Sequence, residues 1–146
     1  MYDKELIGED DLNSTFSKMP KLKIGHLEAE IPIVQGGMGV GISMSGLASA
    51  VAETGAIGVI SSVGIGHIKS EAKLTMKEAD ELVLRHEIQK ATAKTKGIIG
   101  VNVLIASSDS DELIQNAVNE KADLLFLGAG LPLKLPKTLP LERLAD

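Results

Sequence analysis

The 146-residue sequence has no cysteine and no tryptophan, and its aromatic side chains are limited to Tyr2, Phe16 and Phe126. Without thiols there is no disulfide framework, no Cys-ligated zinc, no iron–sulfur cluster and no thiol nucleophile. So few aromatics leave no platform on which nucleobases could stack. Basic residues are short as well: 15 Lys+Arg face 20 Asp+Glu, a net charge of −5, and they are scattered along the chain. The clustered positive footprint of a nucleic-acid binder is absent. The N-terminal MYDKELIGEDD is acidic where a signal peptide needs a basic end and an apolar stretch. No apolar run approaches the ~18 residues of a membrane helix. These absences point to a cytoplasmic protein acting on a small molecule, without a nucleic-acid or membrane partner.

The chain is long enough for about one domain and well short of the ~250 residues of a complete (β/α)8 barrel. What it has in surplus is glycine, 15 residues, which implies tight turns and close backbone approaches. Residues 1–20 are polar and aperiodic and read as an N-terminal arm; residues 21–146 read as the domain. Leu22, Ile24 and Leu27 around Gly25-His26 predict a short hairpin, leading into an apolar strand at Ile31–Val34 with Pro32 near its start. After the loop GGMGVGISM, Ser45 is placed to cap a short helix through Thr54 that turns Leu47, Ala50 and Val51 inward, with Gly55 as its stop.

A second strand follows at Ala56–Ile60. Thr75-Met-Lys-Glu78 has the form of a capping box and opens the longest helix, whose stripe is Ala79, Leu82, Val83 and His86 and whose end is Gly97. The third strand is Ile98–Leu104. Asp109, three residues before Glu112, starts a helix with Leu113, Ile114, Ala117 and Val118 on one side. The fourth strand, Leu124–Leu127, runs into Gly128-Ala129-Gly130. Four apolar runs that do not alternate, each separated from the next by a helical pattern, indicate buried parallel strands in βαβ units, an α/β fold.

Ligands of a parallel sheet bind beyond the carboxyl ends of its strands, where helix N-termini and free backbone groups converge. The first such loop, Gln35-Gly-Gly-Met-Gly-Val-Gly41, fails the dinucleotide fingerprint: six residues starting at Gly37 end on Ile42, and those starting at Gly39 end on Met44. Its glycines would nonetheless let backbone lie flat against a planar ligand, with Met38 offering a polarizable side chain. The alternative is a tight turn with Met38 plugging the mouth. Asn102, an amide inside a strand of Ile, Val and Leu, must find partners. These are either a ligand's carbonyl and imide edge or the backbone of a neighbouring loop. His67 lies on the ligand side in a polar loop and reads as a solvated residue; no His/Asp/Glu set has metal-ligand spacing.

The stretch Ile31-Pro-Ile-Val-Gln-Gly-Gly-Met38, the following Gly41-Ile-Ser and LASAVAETGAIGVISS, then Gly100-Val-Asn-Val and Leu127-Gly-Ala-Gly-Leu-Pro, together resemble the nitronate monooxygenases, formerly 2-nitropropane dioxygenases. They are also similar to a related group, the FMN-dependent enoyl-acyl-carrier-protein reductases. The resemblance runs from about residue 21 to 136 and implies the N-terminal half, about four βα units, of a TIM barrel that holds FMN at its C-terminal mouth. It implies oxidation of alkyl nitronates with O2. Gly37, Met38, Gly39 and Asn102 would bind the cofactor, and Gln35, Gly128, Ala129 and Gly130 would border the substrate. It assigns no catalytic residue to this chain, because the family's catalytic His follows a later strand. The expectation is thus an incomplete, inactive flavin-binding portion, with a non-catalytic half-barrel as the rival reading and self-association through exposed sheet edges in either case.

Overall fold

The computed structural model describes residues 19–68 and 74–131. The predicted N-terminal arm lies almost wholly outside these residues, as do the tail from 132 onward and part of the loop before the longest helix.

The hairpin forms as β1 (Leu22–Ile24) and β2 (Leu27–Ala29), paired antiparallel with Leu22 opposite Ala29 and Ile24 opposite Leu27. Gly25 makes the reversal at φ 56°, a conformation that a Cβ would oppose. Lys21 links Glu28 and Glu30 across the surface at 2.7 Å each. The chain then alternates as expected: α1 (Ser45–Glu53), β3 (Gly58–Ser61), a 3₁₀ turn at Ile65–Ile68, α2 (Met76–Lys94), β4 (Ile99–Leu104), α3 (Ser110–Asn119) and β5 (Leu124–Gly128). The strands form a parallel sheet in the order β3-β4-β5, with Val59, Gly100 and Leu124 in one row and Ser61, Asn102 and Phe126 in the next. β5 has no partner on its far edge among the described residues.

One face of the sheet is covered by the helices. Ile60, Ile99, Val101 and Val103 pack there with Val83, Leu84, Ile88, Leu113 and Ile114. The other face, carrying Val59, Leu124 and Phe126, meets Leu22, Ile24 and Ala29 of the hairpin, which closes it from the N-terminal end. This is the layering of a partial (β/α) barrel, with the hairpin beneath the inner face.

The first predicted strand is shorter than expected. Ile31–Val34 lies beside β3, with Ile31 N–H donating to Gly55 O at 3.1 Å and Ile57 N–H to Ile33 O at 2.9 Å, but the ladder reduces to one bridge between Val34 and Ile57. The chain turns out of the sheet after Gln35.

Five helix details also differ. Ser45 is the first residue of α1 and not its cap: Met44 holds that place, and the Ser45 N–H donates to the buried Glu87 carboxylate of α2 at 3.0 Å. A carboxylate at that helix end complements its dipole, so the cap comes from another element. The inward face of α1 is Ser45, Ala48, Ser49 and Ala52, while Leu47 and Ala50 are exposed and Val51 is half-buried. The reason is the closeness of the backbones. A Cβ on Gly58 would lie 1.9 Å from Ala48 O, and one on Gly97 would lie 2.2 Å from Ala52 O, which leaves room only for small side chains.

In α2 the buried stripe runs through Ala79, Val83, Leu84, Glu87, Ile88 and Ala91, so Leu82 and His86 face outward, and Thr95 ends the helix ahead of Gly97. Its start is as predicted, with both halves of the Thr75/Glu78 capping box formed. Asp109 precedes α3 but makes no side-chain cap, since its carboxylate is engaged by the Ser107 hydroxyl.

Candidate functional site

The C-terminal ends of β3, β4 and β5 bring Asn102, Gly128 and the glycine loop together. Asn102 sits on the inner face in the row with Ser61 and Phe126. Its Nδ2–H donates to Phe126 O on β5 at 3.1 Å, and its own carbonyl accepts from Ser62 N–H at 3.0 Å. Gly37 lies directly on it: a Cβ there would come 2.5 Å from the Asn102 Cβ and 3.1 Å from Oδ1. On the other side, a Cβ at Gly128 would meet only Asn102 Nδ2, at 3.9 Å. The amide is therefore flanked by bare backbone on two sides, an arrangement only glycine permits at Gly37.

The loop reaches Asn102 by crossing over the end of β3. Gly39 backs onto Val63, where a Cβ would approach within 2.9 Å of the valine Cβ. The Gly39–Val40 peptide bond is cis. Gly36 has nothing within 4 Å of a Cβ position, so its backbone borders open space. Met38, Val40 and Ile42 are 47%, 55% and 57% exposed. The Met38 side chain is accessible to a ligand. Its backbone is turned inward, N–H donating to Ser43 Oγ at 2.9 Å and carbonyl accepting from Ser43 N–H at 3.0 Å.

Gln35, expected beside a substrate, is occupied by the scaffold. Its Oε1 accepts from Val59 N–H at 3.2 Å, and its Nε2 donates to Val59 O at 3.1 Å and to Ser43 Oγ at 2.9 Å. Ala129 adopts φ 54° in the turn after β5; Ala129 and Gly130 are both exposed, and Gly130 abuts Ile105 rather than the Asn102 side. Gly37, Met38, Gly39, Asn102 and Gly128 thus share one mouth, while Ala129 and Gly130 lie at its rim.

Ser43 is a site residue that the sequence reading passed over. It is fully buried and gathers Met38 N–H and Gln35 Nε2–H while donating to Gly36 O at 3.0 Å. The available signal was a hydroxyl closing a glycine run that an amide opens, eight residues apart.

No side chain among Gln35–Ser43, Ser61–Val63, Asn102 or Gly128–Gly130 carries a formal charge. Recognition at this mouth is by shape and by neutral donors and acceptors. Outside it, Gly66 N–H donates to buried Asp80 at 2.6 Å and binds the 3₁₀ turn to α2. Burial pushes the Asp80 carboxyl above its ordinary range; the Gly66 hydrogen bond opposes this, the Asp109 charge adds to it, and His67 offsets it slightly. His67 itself is exposed on the turn, as expected of a solvated residue.

Residues 20–128 match the sequence profile of the family described as nitronate monooxygenase. Two related solved structures are FabK from Thermotoga maritima, 30% identical with a TM-score of 0.53 over 69% of this chain and 28% of that one, and a point mutant of the same protein, 32% identical with a TM-score of 0.53 over 69% and 29%. The chain spans less than a third of the length of those structures. No curated protein matches it significantly. Among the described residues no helix is long and apolar enough to cross a membrane.

Proposed function

The chain belongs to the nitronate monooxygenase family, and we propose that it builds one wall of the FMN site of an FMN-dependent oxidoreductase that oxidises alkyl nitronates with O2. The observation that carries this reading is the Gly37–Asn102–Gly128 cluster: an amide held between two bare stretches of backbone at the carboxyl ends of parallel strands. A planar heteroaromatic ring fits such a place. Glycine admits its face, the Asn102 amide can both accept from and donate to its polar edge, and the Met38 thioether offers a polarizable contact. Bound FMN would supply the reversible uptake of electrons, which no side chain here can perform.

The work of this chain is to position and desolvate. Asn102 is held in place by Phe126 O, so its amide plane is set before any ligand arrives, and preorganisation of that kind lowers the entropy lost on binding. Val40 and Ile42 add exposed apolar side chains to the same loop. Enoyl-thioester reduction, the activity of the FMN-dependent enoyl-acyl-carrier-protein reductases that the sequence also resembles, is the second reading.

The test is a fluorescence titration of FMN with the chain. Saturable quenching is expected, weakened about tenfold or more in Asn102→Leu, which loses a ligand hydrogen bond and the bond to Phe126 O that sets the amide plane. Absence of saturable quenching, or equal binding by the variant, would sink the flavin reading. In a complete family barrel carrying these residues, anaerobic mixing then separates the two chemistries: an alkyl nitronate bleaches the flavin on the first reading, and NAD(P)H bleaches it on the second.

A further inference from the structure

Where the chain leaves the sheet after Gln35, the ladder does not stop. In a parallel pair, the positions after Ile57 would be filled by the carbonyl of residue 35, accepting from Val59 N–H, and by the N–H of residue 37, donating to Val59 O. Both places are taken by the Gln35 side chain, Oε1 accepting from Val59 N–H at 3.2 Å and Nε2 donating to Val59 O at 3.1 Å. The carboxamide has the same planar donor–acceptor pair as a peptide group, so it stands in for the missing one. The next position is supplied by Ser43, whose carbonyl accepts from Ser61 N–H at 2.9 Å. Val59 N–H, Val59 O and Ser61 N–H on this edge of β3 are therefore paired while residues 36–42 arch inward onto Asn102.

The same two residues also lock the arch. Gln35 Nε2 donates to Ser43 Oγ at 2.9 Å, Ser43 Oγ donates to Gly36 O at 3.0 Å, and Met38 is bonded to Ser43 through both its N–H and its carbonyl.

We propose that Gln35 and Ser43 are paired positioning residues, a side-chain surrogate for one strand peptide and a buried hydroxyl hub. Together they fix the glycine loop against Asn102, so that Met38 meets a ligand through its thioether and not through its backbone. The proposal rests on the flavin reading for the identity of the ligand alone. It reassigns Gln35 from the substrate border to the support of the loop. Glutamate at this position keeps the acceptor for Val59 N–H and loses both N–H donors, which makes the two halves of the role separable.

The experiment is amide hydrogen exchange on the 146-residue chain, resolved by residue, with FMN quenching run in parallel. In the unsubstituted protein, Met38 and Val59 amides should exchange slowly while Val40, at the exposed tip, exchanges fast. In Ser43→Ala and Gln35→Glu, Met38 should exchange about tenfold faster or more, as expected for loss of a buried hydrogen bond. Val59 should stay protected in Gln35→Glu and lose protection in Gln35→Leu. Leu84 and Ile88 of α2 should stay within about threefold of the unsubstituted protein, because their protection reports the core as a whole.

A Met38 amide as fast as Val40 in the unsubstituted protein would overturn the proposal. So would a Gln35→Glu pattern identical to that of Gln35→Leu, or acceleration spread evenly into α2. If Ser43→Ala does not fold, the Gln35 pair and the unsubstituted protein still decide the matter. If FMN fails to quench while the exchange pattern holds, the flavin reading falls and the positioning role stands.

Discussion

Gly37→Ala tests the packing on which the site depends. The added Cβ would sit 2.5 Å from Asn102 Cβ and 3.0 Å from Cγ, against the ~3.5–4.0 Å at which carbon atoms rest in contact. About 1 Å must be found, and the closest pair are both Cβ atoms, which no rotamer change can move. Either the loop lifts or β4 shifts, at the ~1–3 kcal/mol typical of overpacking. The backbone of Gly37 does not lie in the left-handed region, so alanine returns ~0.4–1 kcal/mol by restricting the unfolded chain.

The expected net loss is ~1–2 kcal/mol, read as a lower urea midpoint at unchanged m-value. FMN quenching should weaken in step, because the shift is centred on Asn102. Gly36→Ala is the matched control, with nothing within 4 Å of its Cβ, and should be neutral or slightly stabilising. A Gly37→Ala protein with the same midpoint as Gly36→Ala would refute the claim that the loop is seated on Asn102.

Two further outcomes follow from the scaffold. Asp80 has a folded pKa above its ordinary value, so its contribution to stability is complete below the unfolded pKa and is lost as pH rises through the folded one. Asp80→Asn keeps an acceptor for Gly66 N–H without the charge; it should be at least as stable at neutral pH and should flatten the urea-midpoint profile across that window, and a destabilised variant at pH 7 would contradict this. Thr75→Ala removes the hydroxyl that caps α2 and should cost ~1 kcal/mol, checked by thermal unfolding; an unchanged melting temperature would mean the cap contributes nothing.

The places where sequence reasoning succeeded and failed have a common physical logic. The hairpin around Gly25, the Thr75 capping box and the alternation of apolar runs with helical patterns depend on neighbours within a few residues, so the local pattern carries them. Asn102 was legible because an amide among Ile, Val and Leu must be explained wherever it occurs. The inward face of α1 was read wrongly: apolar content pointed to Leu47, Ala50 and Val51, yet the contact of its backbone with Gly58 and Gly97 leaves space only for Ala48, Ser49 and Ala52. The hydrogen bonds of Gln35 and Ser43 were not legible, because their partners lie elsewhere in the sequence.

The sequence by itself determined that this is a parallel α/β chain with a glycine-rich loop after its first apolar run and an amide, Asn102, within its third, since periodicity and residue chemistry set both. The tertiary structure decided which groups are left for a ligand. Gln35 pairs with a residue 24 positions away and Ser45 N–H with a carboxylate 42 away. Only folding brings such groups within hydrogen-bond distance, and only then do Met38 and Gln35, alike in the sequence as loop residues beside glycine, separate into one whose side chain is exposed and one whose side chain is bonded to β3.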